Sequence, residues 1–371
     1  MTQFDRSKLT VHPLSERSNQ LQLAKLAVDP MAPPPPCPPD AAPGAEADAA
    51  SFIGQAAEAV RSAREKGRPV VLAFGAHAIK NGLGPVLIAL MKEGWLTHLC
   101  TNGAGVIHDW EFSYQNESGE DVRANVAKGM FGLWDETGYN INLALRVGAW
   151  QGKGYGAAVG SMIAEEGLDI PTLEQLKKDA ADFANLDRAA AALDLMDAMQ
   201  TYGLKPGRLP IAHPHKALSV QGEAYRLGIP FTGHPMFGHD IIYTHPMNQG
   251  AAIGRAAHRD FLTYVESIRQ LQDGVYLSVG SAVMSPMIFE KSLSMARNVE
   301  LREGRKIERF FLGVVDLAPS TWDWTKGEPP KDNPAYYLRY CKTFSRMGGT
   351  MRYASMDNKA FFLRLYQALR K

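Results

Sequence analysis

The sequence predicts an α/β protein, a doubly wound, mostly parallel sheet with helices on both faces. Three observations predict it. Nearly continuous apolar runs recur as PVVLAF (69–74), Leu96–Cys100, GVYLSVG (274–280) and FFLGVVD (310–316), and such runs are strands buried on both faces. Segments of helical period alternate with them, an order that gives parallel strands with right-handed crossovers. Several strands end in small residues, where bulky ones would extend the core and glycine instead lets a ligand approach the backbone.

The elements follow in chain order. Residues 1–50 are polar and then Pro- and Ala-rich (MAPPPPCPPDAAPGAEADAA), a composition that favours extended chain over a packed core. They are read as an arm, and 51–371 as a single α/β domain. Residues 51–66 form a helix with Ile53, Ala57, Val60 and Ala63 near one face. Strand 69–74 ends at Gly75, helix 82–93 follows, and 96–100 is the next strand. Residues 120–150 contain a helical segment, and 172–203 are helical and Ala-rich. A helix over 216–227 leads to a strand at 229–232, and a helix over 260–271 leads to strand 274–280. Helix 285–298 has Pro286 near its start, where proline is tolerated. After strand 310–316, residues 356–371 close the chain as an apolar-faced helix.

Lys and Arg number 40 against 39 Asp and Glu, so no basic field points to nucleic acid. Apolar runs are interrupted well before membrane-spanning length, and the N-terminus has no apolar signal region. Cys37, Cys100 and Cys341 have neither disulfide-framework nor metal-site spacing. A cytoplasmic protein is expected.

Five stretches have the residue types chemistry needs. Gly75-Ala-His-Ala-Ile-Lys-Asn-Gly82 stands at a strand end and a helix start, a place suited to phosphate or equally to a plain tight turn. Thr101-Asn-Gly-Ala-Gly-Val-Ile-His-Asp109 follows a strand, and His108 suits a base, donor or ligand. His234, His239, Asp240 and His245 crowd one loop. A zinc or iron site lacks any helical ligand spacing there, so a polar substrate or cofactor pocket is favoured over metal. Gly280-Ser-Ala-Val-Met-Ser-Pro286 repeats the pattern of strand, small residues and helix, and its backbone groups suit cofactor phosphates. Finally, Lys342 lies beside Tyr340 and Cys341 in a partly apolar context. A lysine withdrawn from water has a lowered pKa and a nucleophilic amine; a solvated surface lysine is the alternative.

In this order the stretches resemble the deoxyhypusine synthase family, its bacterial branch most closely, over residues 69–366. GAHAIKNGLGPVLIALMKEGWLTHLCTNGAGVIHDWE, GHDIIYTHPMNQGAAIGRAAHRDF and GSAVMSPMIFEKSLSMARN carry the resemblance. It implies a Rossmann-like NAD-binding fold and a homotetramer. It implies cofactor contacts from Ala76, His77, Asn81, Thr101, Gly103, Ala104, Asp109, Gly280, Ser281, Ala282 and Asp357. Lys342, His108 and Asp240 would be catalytic, and Tyr340, His239, His245 and Asp316 would bind substrate. The implied activity is NAD-dependent aminobutyl transfer from spermidine or a related polyamine through a lysine imine, to an acceptor left open. A non-catalytic NAD-binding scaffold or sensor is the alternative. Met287, Tyr340 and Cys341 depart from the family pattern around the polyamine.

Overall fold

The structure is a computed structural model describing residues 2–37 and 45–371. Part of the Pro/Ala-rich stretch, residues 38–44, lies outside the described residues. The chain divides into two compact units, one of residues through Leu26 with Gly103–Asp260, the other of Ala27–Asn102 with Phe261–Lys371.

The second unit contains five parallel strands: β1 (Val70–Phe74), β2 (His98–Asn102), β3 (Val275–Val279), β4 (Phe311–Asp316) and β5 (Thr350–Ser355). Their order across the sheet is β5-β4-β3-β1-β2, with Phe74 opposite both Thr101 and Val279, and Val279 opposite Val315. Every residue of β1 and β3 is buried, which explains runs without polar alternation.

Each face of this sheet is covered. On one, Val71, Ala73, Tyr276, Leu312, Val314 and Met351 pack with Phe289, Leu293 and Ala296 of α3 (Met284–Arg302) and with Phe344. On the other lie α1 (Ala45–Glu65) and α4 (Asn358–Leu369), where the Phe52 ring centroid is 6.5 Å from Phe311 and 6.1 Å from Phe361. Helix α2 (Gly84–Lys92), which follows β1, packs on α4. Helix α3, which follows β3, lies on the opposite face. The direction in which the chain winds across the sheet therefore reverses between β1 and β3, and in open α/β sheets the crevice at such a reversal is where ligands bind.

Element boundaries move from those expected. Strand 96–100 is β2, shifted two residues on. GAGVIHD, given no element from the sequence, is the start of a helix, Gly103–Gln115. The helix over 172–203 is two, Leu173–Ala180 and Leu186–Tyr202, the second capped by the Asn185 side chain on the Arg188 amide. Strand 229–232 is Phe231–His234.

In the first unit, Asn19–Gln22 pairs antiparallel with Glu117–Glu120, and Gly167–Ile170 with Gly207–Pro210. Leu14 and Leu23 are buried and pin the polar N-terminal stretch in place. Among the described residues no helix is long and apolar enough to cross a membrane.

Candidate functional site

In the second unit the site grows from two glycines. Gly75 follows β1 and Gly280 follows β3, and their amides donate to Val279 O at 3.1 Å and Val315 O at 2.9 Å, extending the ladders one step. A β-carbon on Gly75 would collide with the Gly280 carbonyl oxygen. Gly280 has φ +56, and a β-carbon there would stand 2.9 Å from Asn358 Nδ2. Both positions therefore exclude side chains, and the two turns meet backbone to backbone.

The turns around them supply polar groups. Ser281 Oγ accepts from the Ser285 amide at 3.2 Å, steadying the start of α3. Thr101, at the end of β2, donates to Phe74 O at 2.8 Å. Asp357 caps α4 through the amides of Lys359 and Ala360. Ala76 and Ser281 are buried; His77, Asn81 and Ala282 are exposed. Asp316 ends β4, with Tyr340 beside it: its charge helps hold the Tyr340 hydroxyl above the usual range, after burial. Ala76, His77, Asn81, Thr101, Gly280, Ser281, Ala282, Asp316 and Asp357 all follow or end a strand of one sheet.

Lys342 differs from expectation. Its ammonium is 3.0 Å from Glu328 Oε1 and 3.4 Å from the Tyr336 ring centroid. Its pKa is raised, by Tyr336 first, with Glu328 adding to it. The amine is held charged rather than as a free nucleophile, because its neighbours are an anion and an aromatic face.

The remaining sequence-predicted residues belong to the first unit. Asp109 is buried and accepts from Ser219 Oγ (2.6 Å) and the amides of Val220 (2.9 Å) and Gln221 (3.2 Å). It thus caps the helix Val220–Leu227, and burial raises its pKa to about 6 against those bonds. His108 Nδ1 is 2.7 Å from Ser118 Oγ, which donates to Glu111 at 2.5 Å, and Arg17 binds Glu111 with both terminal nitrogens at 2.8 Å. His245 lies 3.0 Å from Asp135, His234 Nε2 lies 2.9 Å from Thr232 Oγ1, and His239 is exposed. His234 and His245 thus turn to separate partners. Among the described residues no three His, Cys, Asp or Glu side chains are placed to hold a metal ion.

Asp240 is different. Its Oδ2 is buried without a hydrogen-bond partner, as are the hydroxyls of Tyr155 and Tyr243. A β-carbon on Gly103 would fall on the Asp240 carboxylate, so glycine there makes room for the acid. Burial raises Asp240 to about 6 and holds both phenols above their usual range, with the Asp240 charge adding to each. Ala104 follows Gly103 in the same helix. Sequence reasoning missed Tyr155, Tyr243, Asn358 and the buried Asp260, whose Oδ2 accepts from Gly156 (2.8 Å) and Gly233 (2.7 Å). The signal for Asp260 was its place four residues after Ala256 on an apolar helical stripe.

No family model and no curated protein matches the chain. Solved structures that match include AgrE, unliganded and in complex with ornithine and NAD+ (TM-score 0.43, 15% identity, 88% of this chain and 33% of AgrE in both). ArgZ, an arginine dihydrolase from the cyanobacterial ornithine–ammonia cycle, matches with TM-score 0.40 and 14% identity over 86% of this chain and 32% of its own. A structure described as a conserved putative LOR/SDH protein from Methanococcus maripaludis S2 gives 0.42 and 12%, over 90% and 73%. This chain spans about a third of the length of AgrE and ArgZ. These neighbours, not deoxyhypusine synthases, correct the family resemblance, and with it the assignment to spermidine or polyamine aminobutyl transfer. Physically, small residues at the ends of parallel strands suit any dinucleotide-binding α/β sheet. The motifs therefore carry the strand-end geometry without specifying the reaction.

Proposed function

We propose that this protein binds a nicotinamide dinucleotide, NAD, at the C-terminal edge of the second unit's sheet, and acts on a small amino acid bearing a cationic amine. The observation carrying the first part is the meeting of Gly75 and Gly280 at the reversal between β1 and β3. Side-chain-free backbone at that crevice suits a pyrophosphate. In this reading the Gly280–Val283 turn and the first amides of α3 hold the phosphates, Ser281 keeps that turn in shape, and Thr101 fixes the end of β2. Asn358 supports the left-handed backbone of Gly280. Bound NAD would supply hydride acceptance or return.

The amine is assigned to the first unit's Asp240, where a buried carboxylate oxygen and two phenols have hydrogen-bonding capacity unused within the protein. A protonated amine would favour the ionised carboxylate and donate a hydrogen bond to its Oδ2. Titration calorimetry with NAD, NADP and ADP-ribose tests the first part, and saturable one-to-one heat is expected. Absence of heat with all three would overturn it. Ornithine and arginine, added with NAD and followed by mass spectrometry, test the second; no change in either, and no binding, would remove the amino-acid assignment.

A further inference from the structure

We propose that Asp316 recognises the adenosine ribose of the dinucleotide, and that it makes the site prefer a free 2′-hydroxyl over a 2′-phosphate. The inference rests on the dinucleotide reading above. β3, the Gly280 turn, α3 and β4 form one βαβ unit, with β4 directly beside β3 and Val279 opposite Val315. When a pyrophosphate sits at the turn of such a unit, the ribose extends toward the end of the next strand, where an acid can hold its 2′-hydroxyl. The residue ending that strand is Asp316.

Its side chain is pre-set. Oδ1 accepts from the Leu317 amide at 2.8 Å and the Ala318 amide at 3.4 Å. The loop leaving β4 is held as well, since the Met356 amide donates to Asp316 O at 2.9 Å and Tyr353 donates to Ala318 O at 2.5 Å. Asp316 is only half-buried. No lysine or arginine forms an ion pair with it among the described residues; Lys342 and Arg346 are both engaged by Glu328. An uncompensated carboxylate accepts a hydroxyl proton well and repels a phosphate.

Competitive titration with NAD, NADP, ADP-ribose and 2′-phospho-ADP-ribose tests this. The wild-type protein should bind the 2′-hydroxyl forms at least about tenfold more tightly, the worth of one hydrogen bond to a charged group. Asp316→Asn keeps an oxygen for the Leu317 amide while removing the charge; it should weaken NAD by about tenfold and bring the NAD/NADP ratio close to one. Asp316→Ala should do the same, with an unchanged melting temperature in Asp316→Asn as the folding control. Equal wild-type affinity for NAD and NADP overturns the role of Asp316 alone, as does a preference that survives Asp316→Asn. No binding of any of the four ligands overturns both this role and the dinucleotide site.

Discussion

The carbonyl oxygen of Gly280 occupies the space that a β-carbon on Gly75 would need. The two residues end adjacent parallel strands whose crossovers lie on opposite faces of the sheet. Alanine at position 75 must push β1 and β3 apart or distort the Gly280 peptide, while alanine at 280 must adopt a left-handed conformation near φ +56. Each substitution should cost about 1–3 kcal/mol, read as a lowered melting temperature, and should abolish NAD binding. Unaltered NAD affinity in a folded Gly75→Ala protein would move the cofactor elsewhere.

Asp260 should make folding stability fall as pH rises. Burial lifts its carboxyl from 3.8 to about 7, against the Gly156 and Gly233 amides. The folded state then holds a proton that the unfolded chain releases near pH 4. Stability is full below that pH and is lost as pH climbs to about 7. The amount is on the order of 4 kcal/mol. Asp109 and Asp240, each raised to about 6, act in the same direction. Asp260→Asn, whose carbonyl oxygen can still accept both amides, should flatten this part of the profile in urea melts taken from pH 4 to 8. An unchanged slope would place the proton on another group.

Amine binding at Asp240 should depend on pH in the opposite sense. The carboxyl must ionise to hold a cation, so affinity for ornithine should rise from pH 5 to 7 and then level. Asp240→Asn should lower affinity about 10- to 100-fold and remove the pH dependence. Tyr155→Phe should leave the pH dependence in place while weakening binding less. Calorimetry at several pH values reads all three, and a pH-independent wild type would take Asp240 out of the site.

Lys342 should behave as an ordinary ammonium. Its ion pair with Glu328 and its seat on Tyr336 favour the charged form, so borohydride should trap no carbonyl adduct at this residue near neutral pH. Lys342→Met should leave NAD affinity within about twofold of wild type, because a partly exposed ion pair is worth little. A trapped adduct mapped to Lys342 by peptide mass spectrometry would contradict this.

Local chemistry was enough to read the central strands. PVVLAF, GVYLSVG and FFLGVVD have no period because both faces of each strand are covered, and their order fixed an α/β sheet. The helix bearing Ile53, Ala57, Val60 and Ala63 was legible for the related reason that one face is buried; all four side chains are in the core. β5, with the sequence TMRYAS, was not recognised. It is the last strand on its side of the sheet, and only part of it is buried, so polar residues interrupt its apolar pattern.

Partners distant in sequence decided the rest. Gly103 and Gly105 looked like a ligand turn but begin a helix, and the space above Gly103 belongs to Asp240, more than a hundred residues later. His245 reads like its neighbour histidines until Asp135 is found beside it, and Lys342 reads like a candidate nucleophile until Glu328 and Tyr336 are. The sequence alone determined which segments bury themselves, because burial follows from residue type and period. The tertiary structure decided which acids keep their protons, which histidines are already engaged and where two glycines touch, because desolvation and hydrogen bonding depend on neighbours that chain order does not reveal.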